Sequence, residues 1–296
     1  MRADRYSRTA LAAAFYRAQH HLHDDPKLLD DPYAHRLLTG AEMAAFADRR
    51  MRDGLELGVP PGDPDTVLAR TLRTLTPAST VLARARYTED RLAAAVARGV
   101  DQYVLVGAGL DTFAFRRSDL HDIRVFELDH PESQTAKRER LAAAGLAEPS
   151  NLHFGPVDFE RESVADILAR LPFRPDRPAV FAWLGVTMYL TRTAIEATWQ
   201  TLGAVAGRGS EVVFDFIHPD ALSAPAAERR LERARAIGEP IIAGLDPATL
   251  GADLAASGWT LLETLDAVEI NRRYFANRGD GYRARPAGRL AAAGIA

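Results

Sequence analysis

Two glycines and two acids, about twenty residues apart, are the residues of this sequence best suited to holding a ligand. Gly107 and Gly109 directly follow an apolar run at 103–106, and Glu127 and Asp129 close the next apolar run. Glycine tolerates a sharp turn and lets a ligand approach the backbone. An acid at the end of a second strand can accept hydrogen bonds from ribose hydroxyls. The pattern therefore predicts the nucleoside-binding half of a wound α/β sheet. An ordinary tight turn is the alternative interpretation of the glycines.

The residues after the turn favour a nucleoside without phosphates. A dinucleotide fingerprint has a third glycine where a helix packs closely and holds a pyrophosphate. Thr112 stands at that position here, and the sequence contains no Gly-Lys-Ser/Thr phosphate loop. S-adenosylmethionine therefore fits this turn better than NAD does.

Four further residues follow predicted strands, where ligands of a wound sheet bind. Asp158 and Phe159 come after the third strand, and a carboxylate with an aromatic ring suits an adenine, although a surface turn has the same composition. Tyr189 follows the fourth strand and His218 the fifth. Either could act as a general base, although a single histidine at a strand end is often an ordinary polar residue.

Two groups of charged or titratable residues precede the first strand. Arg84 and Arg86 belong to a charged helical patch. This patch is either a solvated face or a binding site for the carboxylate of a ligand, because arginine can bind a carboxylate through two hydrogen bonds. His20, His21 and His23 are close in sequence, but no second group of ligands accompanies them. We therefore predict no metal site.

Strand-like runs alternate with helical ones between residues 100 and 275, which predicts an α/β fold with one doubly wound, mostly parallel sheet. Within a single domain, 1–78 is expected to form an N-terminal helical cap and 79–275 the Rossmann-like core. A charged helix at about 221–238 is predicted to form a lid, and 276–296 a tail that frays because it lacks a core pattern. The predicted strands are 103–106, 123–128, 152–154, 179–184, 211–217 and 259–265.

Composition excludes several classes of protein. The 296 residues carry a formal net charge of −3 and no cysteine, so nothing indicates a nucleic-acid footprint, disulfides or a thiolate site. No apolar run approaches the roughly 18 residues that span a bilayer. We expect a cytoplasmic protein with a small-molecule partner, no nucleic acid and no membrane; the sequence does not specify the oligomeric state.

Five motifs together resemble one known family, and the resemblance extends over most of the chain, from about Ser7 to Phe275. The chain is similar to the leucine carboxyl methyltransferase-like, S-adenosylmethionine-dependent methyltransferases. The resemblance is greatest to the actinobacterial branch, some members of which methylate polyketides and other secondary metabolites. The motifs are Arg84-Ala85-Arg86-Tyr87, Leu105 to Thr112, Phe126-Glu127-Leu128-Asp129-His130-Pro131, Asp158-Phe159 and Gly185 to Leu190.

The resemblance implies a Rossmann-like class I methyltransferase fold, S-adenosylmethionine as cofactor, and a role for each matching residue. Leu184 is a departure, because phosphatase-methylating relatives carry a glutamate there, and this puts a leucine-carboxylate substrate in doubt. The implied cofactor contacts are Arg86 with the carboxylate, Gly107 beside the methionine moiety, Asp129 with the ribose, and Asp158 and Phe159 around the adenine. Arg17 is implied to help cover the site, and Ala108, Gly109, Asp111 and Leu184 are further predicted cofactor contacts.

The resemblance implies an O-methyltransferase, whose acceptor is predicted to be a carboxylate or a phenolic hydroxyl. A carboxylate is already ionised and needs no base, whereas a hydroxyl would need His218 or Tyr189. Tyr189, Arg273 and Tyr274 are the predicted acceptor contacts. An NAD(P) oxidoreductase is the competing enzyme class, but it would also want a Tyr-x-x-x-Lys pair, which is not seen. A catalytically silent cofactor-binding protein is the other alternative.

Overall fold

The computed structural model describes residues 7–74, 77–159, 161–223, 227–236 and 238–296. Seven strands form its sheet: β1 (Gln102–Val106), β2 (Arg124–Asp129), β3 (Leu152–Pro156), β4 (Val180–Trp183), β5 (Glu211–Ile217), β6 (Thr260–Leu265) and β7 (Gly288–Gly294). The helices are α1 (Arg8–His23), α2 (Gly40–Glu56), α3 (Pro64–Thr74), α4 (Ala78–Val96), α5 (Phe113–Arg116), α6 (Pro131–Ala143), α7 (Val164–Leu168), α8 (Arg192–Val205), α9 (Asp220–Ser223), α10 (Ala227–Ala236), α11 (Pro247–Ala255) and α12 (Ala267–Ile270). None of the helices within these ranges has the length and hydropathy needed to cross a membrane.

The strand order is β3-β2-β1-β4-β5-β7-β6. The pairs β1–β2, β1–β4, β2–β3 and β4–β5 are parallel, whereas β7 runs antiparallel to both β5 and β6. Every residue of β1 and β4 is buried, as expected for parallel strands covered by helices on both faces. The predicted doubly wound α/β fold is confirmed.

The strand β7 corrects the expectation that the final segment is a fraying tail. It pairs with β5 over seven residues and with β6 on its other side. Leu290, Ala291, Ala292 and Ala293 within it are at most 1% exposed. A strand buried on both faces shows no polar alternation, and its alanines have little β-propensity. The sequence pattern therefore did not identify it.

Two hydrophobic layers cover the two faces of the sheet. On one face, α1 and α4 pack with inward residues such as Leu105 and Val213. On the other face lie all three tryptophans, Trp183, Trp199 and Trp259, each at most 1% exposed. The indole nitrogen of Trp259 donates a hydrogen bond of 2.9 Å to the carbonyl of Trp199, so this layer is held by a polar contact as well as by packing.

The helix α1 is capped at its N-terminus by Ser7. The Ser7 hydroxyl accepts a hydrogen bond from the Ala10 amide, which satisfies one of the free donors at a helix N-terminus. Arg17, two turns further on, is buried; its Nε lies 2.8 Å from Asp31 Oδ2 and its Nη2 donates to the Leu110 carbonyl at 2.6 Å. These bonds fasten α1 over the loop that follows β1.

Candidate functional site

A cavity of about 470 Å³ lies at the carboxyl ends of β2, β1 and β4, covered by α1 and α4. This is where wound sheets bind ligands, and the volume suits a small molecule or cofactor. Nine predicted site residues line it: Arg17, Gly107, Ala108, Gly109, Asp111, Asp129, Phe159, Leu184 and Tyr189. The structure thus brings together most of the residues that the motifs indicate.

The glycine turn has the geometry that its sequence predicts. Gly107 and Gly109 have positive φ angles of 76° and 53°, which side-chain-bearing residues rarely adopt. A Cβ on Gly107 would lie 2.8 Å from Val186 Cγ2, and one on Gly109 3.2 Å from Ala10 Cβ. Both glycines are therefore required by conformation, and by the close approach of α1 and of the segment after β4.

Asp129 joins the turn to the end of β2. Its Oδ2 accepts from the Gly109 amide at 2.5 Å, and its Oδ1 accepts from the His130 amide at 2.7 Å. A carboxylate has about four acceptor positions, so lone pairs remain for a ligand's hydroxyls. Burial raises the pKa of Asp129, against the opposing effect of these two amides. The side chain is held where an acid of a nucleoside site is needed.

Arg84, and not Arg86, lies in the cavity. Arg84 Nη1 is 2.9 Å from Asp215 Oδ2, and the guanidinium rests against Gly185, since a Cβ there would lie 2.7 Å from Arg84 Nη2. Asp215 Oδ1 also accepts from the Gly185 amide at 2.5 Å. Arg86 is half exposed and pairs with Asp90 at 2.8 Å. The arginine predicted to hold a carboxylate is therefore placed outside the cavity, two residues along the helix from the one inside it.

Arg17 is in the cavity wall as predicted, fastened by Asp31. Burial alone would raise the pKa of Asp31, but the neighbouring Arg17 and Arg116 hold it below its ordinary value. Thr112 also donates to Asp31 Oδ2, at 2.7 Å. Thr112, which replaces the third glycine of a dinucleotide fingerprint, thus helps to anchor the cap helix.

Beyond β4, four polar side chains meet at the cavity's other end. The Thr9 hydroxyl lies 3.1 Å from the Tyr189 hydroxyl and donates to Glu239 Oε2, while the Ser7 hydroxyl donates to Glu239 Oε1 at 2.6 Å. Burial raises the pKa of Tyr189. Gly238, the last residue of the predicted lid, lines the cavity together with Glu239, Pro240, Ser7 and Thr9.

Asp158 and Phe159, the predicted adenine pair, are placed differently from each other. Phe159 lines the cavity and an adjoining chamber of about 370 Å³ on the other side of Val186, and its side chain is 46% exposed. Asp158 lies outside the cavity lining, with an oxygen 3.4 Å from Arg161 Nε. The adenine role of this pair stays a prediction.

His218, Arg273 and Tyr274 lie outside the cavity. The amide of His218 donates to the Ala287 carbonyl, and its Nδ1 accepts from the Asp220 amide at 3.2 Å. Arg273 is bound to Glu263 at 2.6 Å, and the Tyr274 hydroxyl to Asp90 at 3.0 Å. Arg273 and Tyr274 belong to the segment after β6, which packs beside the exposed part of α4. The structure therefore does not place His218 as a base, or Arg273 and Tyr274 as acceptor contacts, in the wall of this cavity.

The sequence interpretation missed Thr9, Glu239 and the role of Arg84. One signal was present: Thr9, Ala13 and Arg17 recur every four residues and therefore share one face of α1. Glu239 lies 230 residues from Thr9, and no local pattern links them. Within the described residues there is no group of three or more histidine or acidic side chains placed to hold a metal ion.

A parallel sheet with a reversed final strand and a ligand cavity at its carboxyl end defines a Rossmann-like, class I methyltransferase fold. Two solved structures share it: a Thermobifida fusca protein assigned as a methyltransferase (TM-score 0.54, 17% identity, 83% of this chain and 93% of that one) and a DUF574 family protein from Streptomyces avermitilis (TM-score 0.55, 15% identity, 96% and 97%). At these identities the likeness shows the fold alone.

The chain belongs to the leucine carboxyl methyltransferase family, whose sequence profile matches residues 10–203. It is 33% identical over 295 residues to Bacillus subtilis (strain 168) YktD, assigned as an S-adenosyl-L-methionine-dependent methyltransferase, covering 95% of each chain. A Saccharopolyspora erythraea protein with the same assignment is 32% identical over 71% of this chain and 67% of its own. The predicted family, enzyme class and cofactor are confirmed.

Proposed function

We propose that this protein is an S-adenosylmethionine-dependent O-methyltransferase that acts on a small molecule of the polyketide or secondary-metabolite type, at a carboxylate or a phenolic hydroxyl. One observation carries the proposal. The glycine turn after β1 and Asp129 at the end of β2 face one cavity, and the turn's Gly109 amide is bound by Asp129. An acid at the end of the second strand, beside such a turn, is the arrangement that binds the ribose of a nucleoside.

The residues of the cavity fit the cofactor part by part. Gly107 and Gly109 leave room for the methionine moiety, and Asp129 retains acceptor positions for the ribose hydroxyls. Phe159 offers a partly exposed ring beside the same cavity, suited to an adenine. Arg84, which lines the cavity, would bind the carboxylate of the cofactor in place of Arg86. When bound, S-adenosylmethionine supplies an electrophilic methyl group on a sulfonium.

The chain's own contribution is to position the acceptor and to exclude water. Orientation of two reactants contributes up to roughly 7–11 kcal/mol to a bimolecular step. The α1 helix supports this role, because Ala10 packs on Gly109 and Arg17 binds the Leu110 carbonyl, so the helix closes over the turn. The cytoplasmic location stays a prediction.

Calorimetric titration with S-adenosylmethionine, S-adenosylhomocysteine and NADPH tests the proposal directly. Binding of the first two without NADPH is expected, and incubation with acceptor acids and phenols should then release S-adenosylhomocysteine. Binding of NADPH alone would contradict the proposal and favour an oxidoreductase. Binding of S-adenosylmethionine with no transfer to any acceptor would favour a catalytically silent protein.

The substitution Asp129→Ala is expected to weaken S-adenosylhomocysteine binding by roughly 1–3 kcal/mol, the usual cost of unpairing buried hydrogen-bonding groups. It removes the acceptors of the ribose hydroxyls and also frees the Gly109 amide. Calorimetry measures the effect. Asp122→Ala, at an exposed acid before β2, is the matched control and should bind as wild type does. Equal affinity of the Asp129 variant and wild type would remove the ribose assignment.

A further inference from the structure

The cavity has two chemically different ends. Its ribose end lies at β2, where Asp129 stands, and its other end lies beyond β4, on the opposite side of β1. On α1, Arg17 lies at the ribose end of the cavity and Thr9 at the other end. The eight residues of helix between them span about 12 Å. With the ribose of the cofactor assigned to Asp129 and its carboxylate to Arg84, the acceptor is expected to enter from the end formed by Tyr189, Thr9 and Glu239.

The hydrogen bonds at this end have a defined direction. Glu239, as a carboxylate, only accepts, so the single hydroxyl proton of Thr9 points to Glu239 Oε2. Thr9 Oγ1 must then accept from the Tyr189 hydroxyl, 3.1 Å away. The Ser7 hydroxyl and the Thr9 amide also donate to Glu239. A series of hydrogen bonds therefore runs from Tyr189, which lines the cavity, through Thr9 to the carboxylate of Glu239.

We infer that the acceptor is a neutral hydroxyl compound, and that Glu239 receives its proton through Thr9 and Tyr189; this inference rests on the proposed O-methyltransferase function. The acceptor oxygen forms a bond to the methyl carbon as the carbon–sulfur bond breaks, and that bond's electron pair stays on sulfur. The acceptor's proton passes to the Tyr189 oxygen, that of Tyr189 to Thr9, and that of Thr9 to Glu239. The products are a methyl ether, S-adenosylhomocysteine and a protonated Glu239.

The same arrangement disfavours a carboxylate acceptor. A carboxylate has no proton to give at neutral pH, so the chain of hydroxyls would serve no purpose for it. The donors described on Glu239 are neutral and leave its negative charge to repel an anion. Of the two arginines of the cavity, Arg17 is paired with the buried Asp31 at 2.8 Å, and Arg84, paired with Asp215 at 2.9 Å, is assigned to the carboxylate of the cofactor.

The variant Glu239→Gln tests this inference with three small probes: 4-methylphenol, 4-nitrophenol and 4-methylbenzoate. S-adenosylhomocysteine release is measured with each probe in mildly alkaline buffer, where 4-nitrophenol is already ionised, and S-adenosylhomocysteine affinity is measured by calorimetry. Glu232→Gln, at an exposed position of α10, is the matched control.

We expect wild type to methylate 4-methylphenol in preference to 4-methylbenzoate. In Glu239→Gln, transfer to 4-methylphenol should fall by roughly 10²-fold, the range for loss of a general base. Transfer to 4-nitrophenol should fall by less than roughly tenfold, because that probe needs no base. The affinity for S-adenosylhomocysteine should stay within about threefold, since the assigned cofactor contacts are Asp129, the glycine turn and Arg84, and not Glu239. The Glu232 variant should match wild type throughout.

Four outcomes would overturn the inference while leaving the proposed function standing. They are preference for 4-methylbenzoate, no transfer to either phenol by a protein that binds S-adenosylmethionine, an equal loss with both phenols, or a large loss of S-adenosylhomocysteine affinity. An equal loss with both phenols would indicate that Glu239 only fixes the N-terminus of α1. A large loss of affinity would indicate that Glu239 contacts the ammonium group of the cofactor. Failure of wild type to bind S-adenosylmethionine would instead overturn the proposed function.

Discussion

Replacing Lys137 with methionine is expected to lower the free energy of unfolding by about 3–5 kcal/mol, the usual result of removing one partner of a buried ion pair. Lys137 of α6 is bound to Glu127 of β2, and the two residues are 1% and 0% exposed. Glu127 Oε1 has no hydrogen-bond partner among the described residues. Without the lysine, the carboxylate would be left buried beside Asp129 with no compensating charge. Urea unfolding followed by circular dichroism measures the loss.

The effect should grow with pH. Burial raises the pKa of Glu127 from 4.5 to about 7, against the attraction of Lys137, and removing the lysine raises it further. A carboxyl whose pKa is raised on folding contributes stability below its unfolded value and loses it as pH rises through the folded value. The deficit of the variant should therefore be larger at about pH 8 than at about pH 5.

A double variant, Glu127→Leu with Lys137→Met, provides the control. Apolar replacement of both members of a buried pair is often neutral or stabilising, so the double variant should unfold within about 1 kcal/mol of wild type. A loss of less than about 1 kcal/mol in the single variant, or a deficit that shrinks as pH rises, would contradict the account of this pair.

Replacing Arg84 with methionine is expected to weaken S-adenosylhomocysteine binding by at least about tenfold, the effect of losing one charge-assisted hydrogen bond, and to cost about 3–5 kcal/mol of stability. Both effects follow from its position, because the guanidinium faces the cavity and neutralises the buried Asp215. Arg86→Met is the matched comparison, since Arg86 is half exposed and pairs with Asp90. It should bind S-adenosylhomocysteine as wild type does.

The two effects of the Arg84 substitution can be separated. Asp215→Asn combined with Arg84→Met removes the uncompensated charge while keeping an oxygen for the Gly185 amide, so stability should return but affinity should not. Calorimetry and urea unfolding on the same preparations give both quantities. If Arg86→Met, rather than Arg84→Met, reduces affinity, the assignment of the carboxylate contact returns to the residue that the motif alone indicates.

The parts of this fold that are local in sequence were predictable. Six strands are short apolar runs bounded by turns, and each appears within one or two residues of its predicted range. The glycine turn and Asp129 were predictable for the same reason, because β1 and β2 are consecutive and neighbouring parallel strands end at the same edge. The strand β7 was not, because its alanines match no strand pattern.

The parts of the site that depend on packing were not predictable. Arg84 and Arg86 differ by two positions on one helix and therefore point to different sides. Only the packing of α4 against the sheet, which places Val81, Arg84 and Ala85 in the cavity wall, decides which arginine enters the cavity. Glu239 reaches Thr9 across most of the chain's length, and a contact at that separation leaves no periodic signal.

The distribution of aromatic residues between the two faces of the sheet has an experimental consequence. All three indoles lie on one face, whereas the buried Tyr16, Tyr87 and Tyr103 lie on the face that carries α1 and α4. Intrinsic indole emission therefore reports the packing of one layer and not of the layer that covers the cavity. The unfolding midpoint followed by indole emission can be compared with the midpoint followed by amide exchange in α1. A difference between the two midpoints would show that the layers unfold separately. Coincident midpoints would show that the two layers unfold as one cooperative unit.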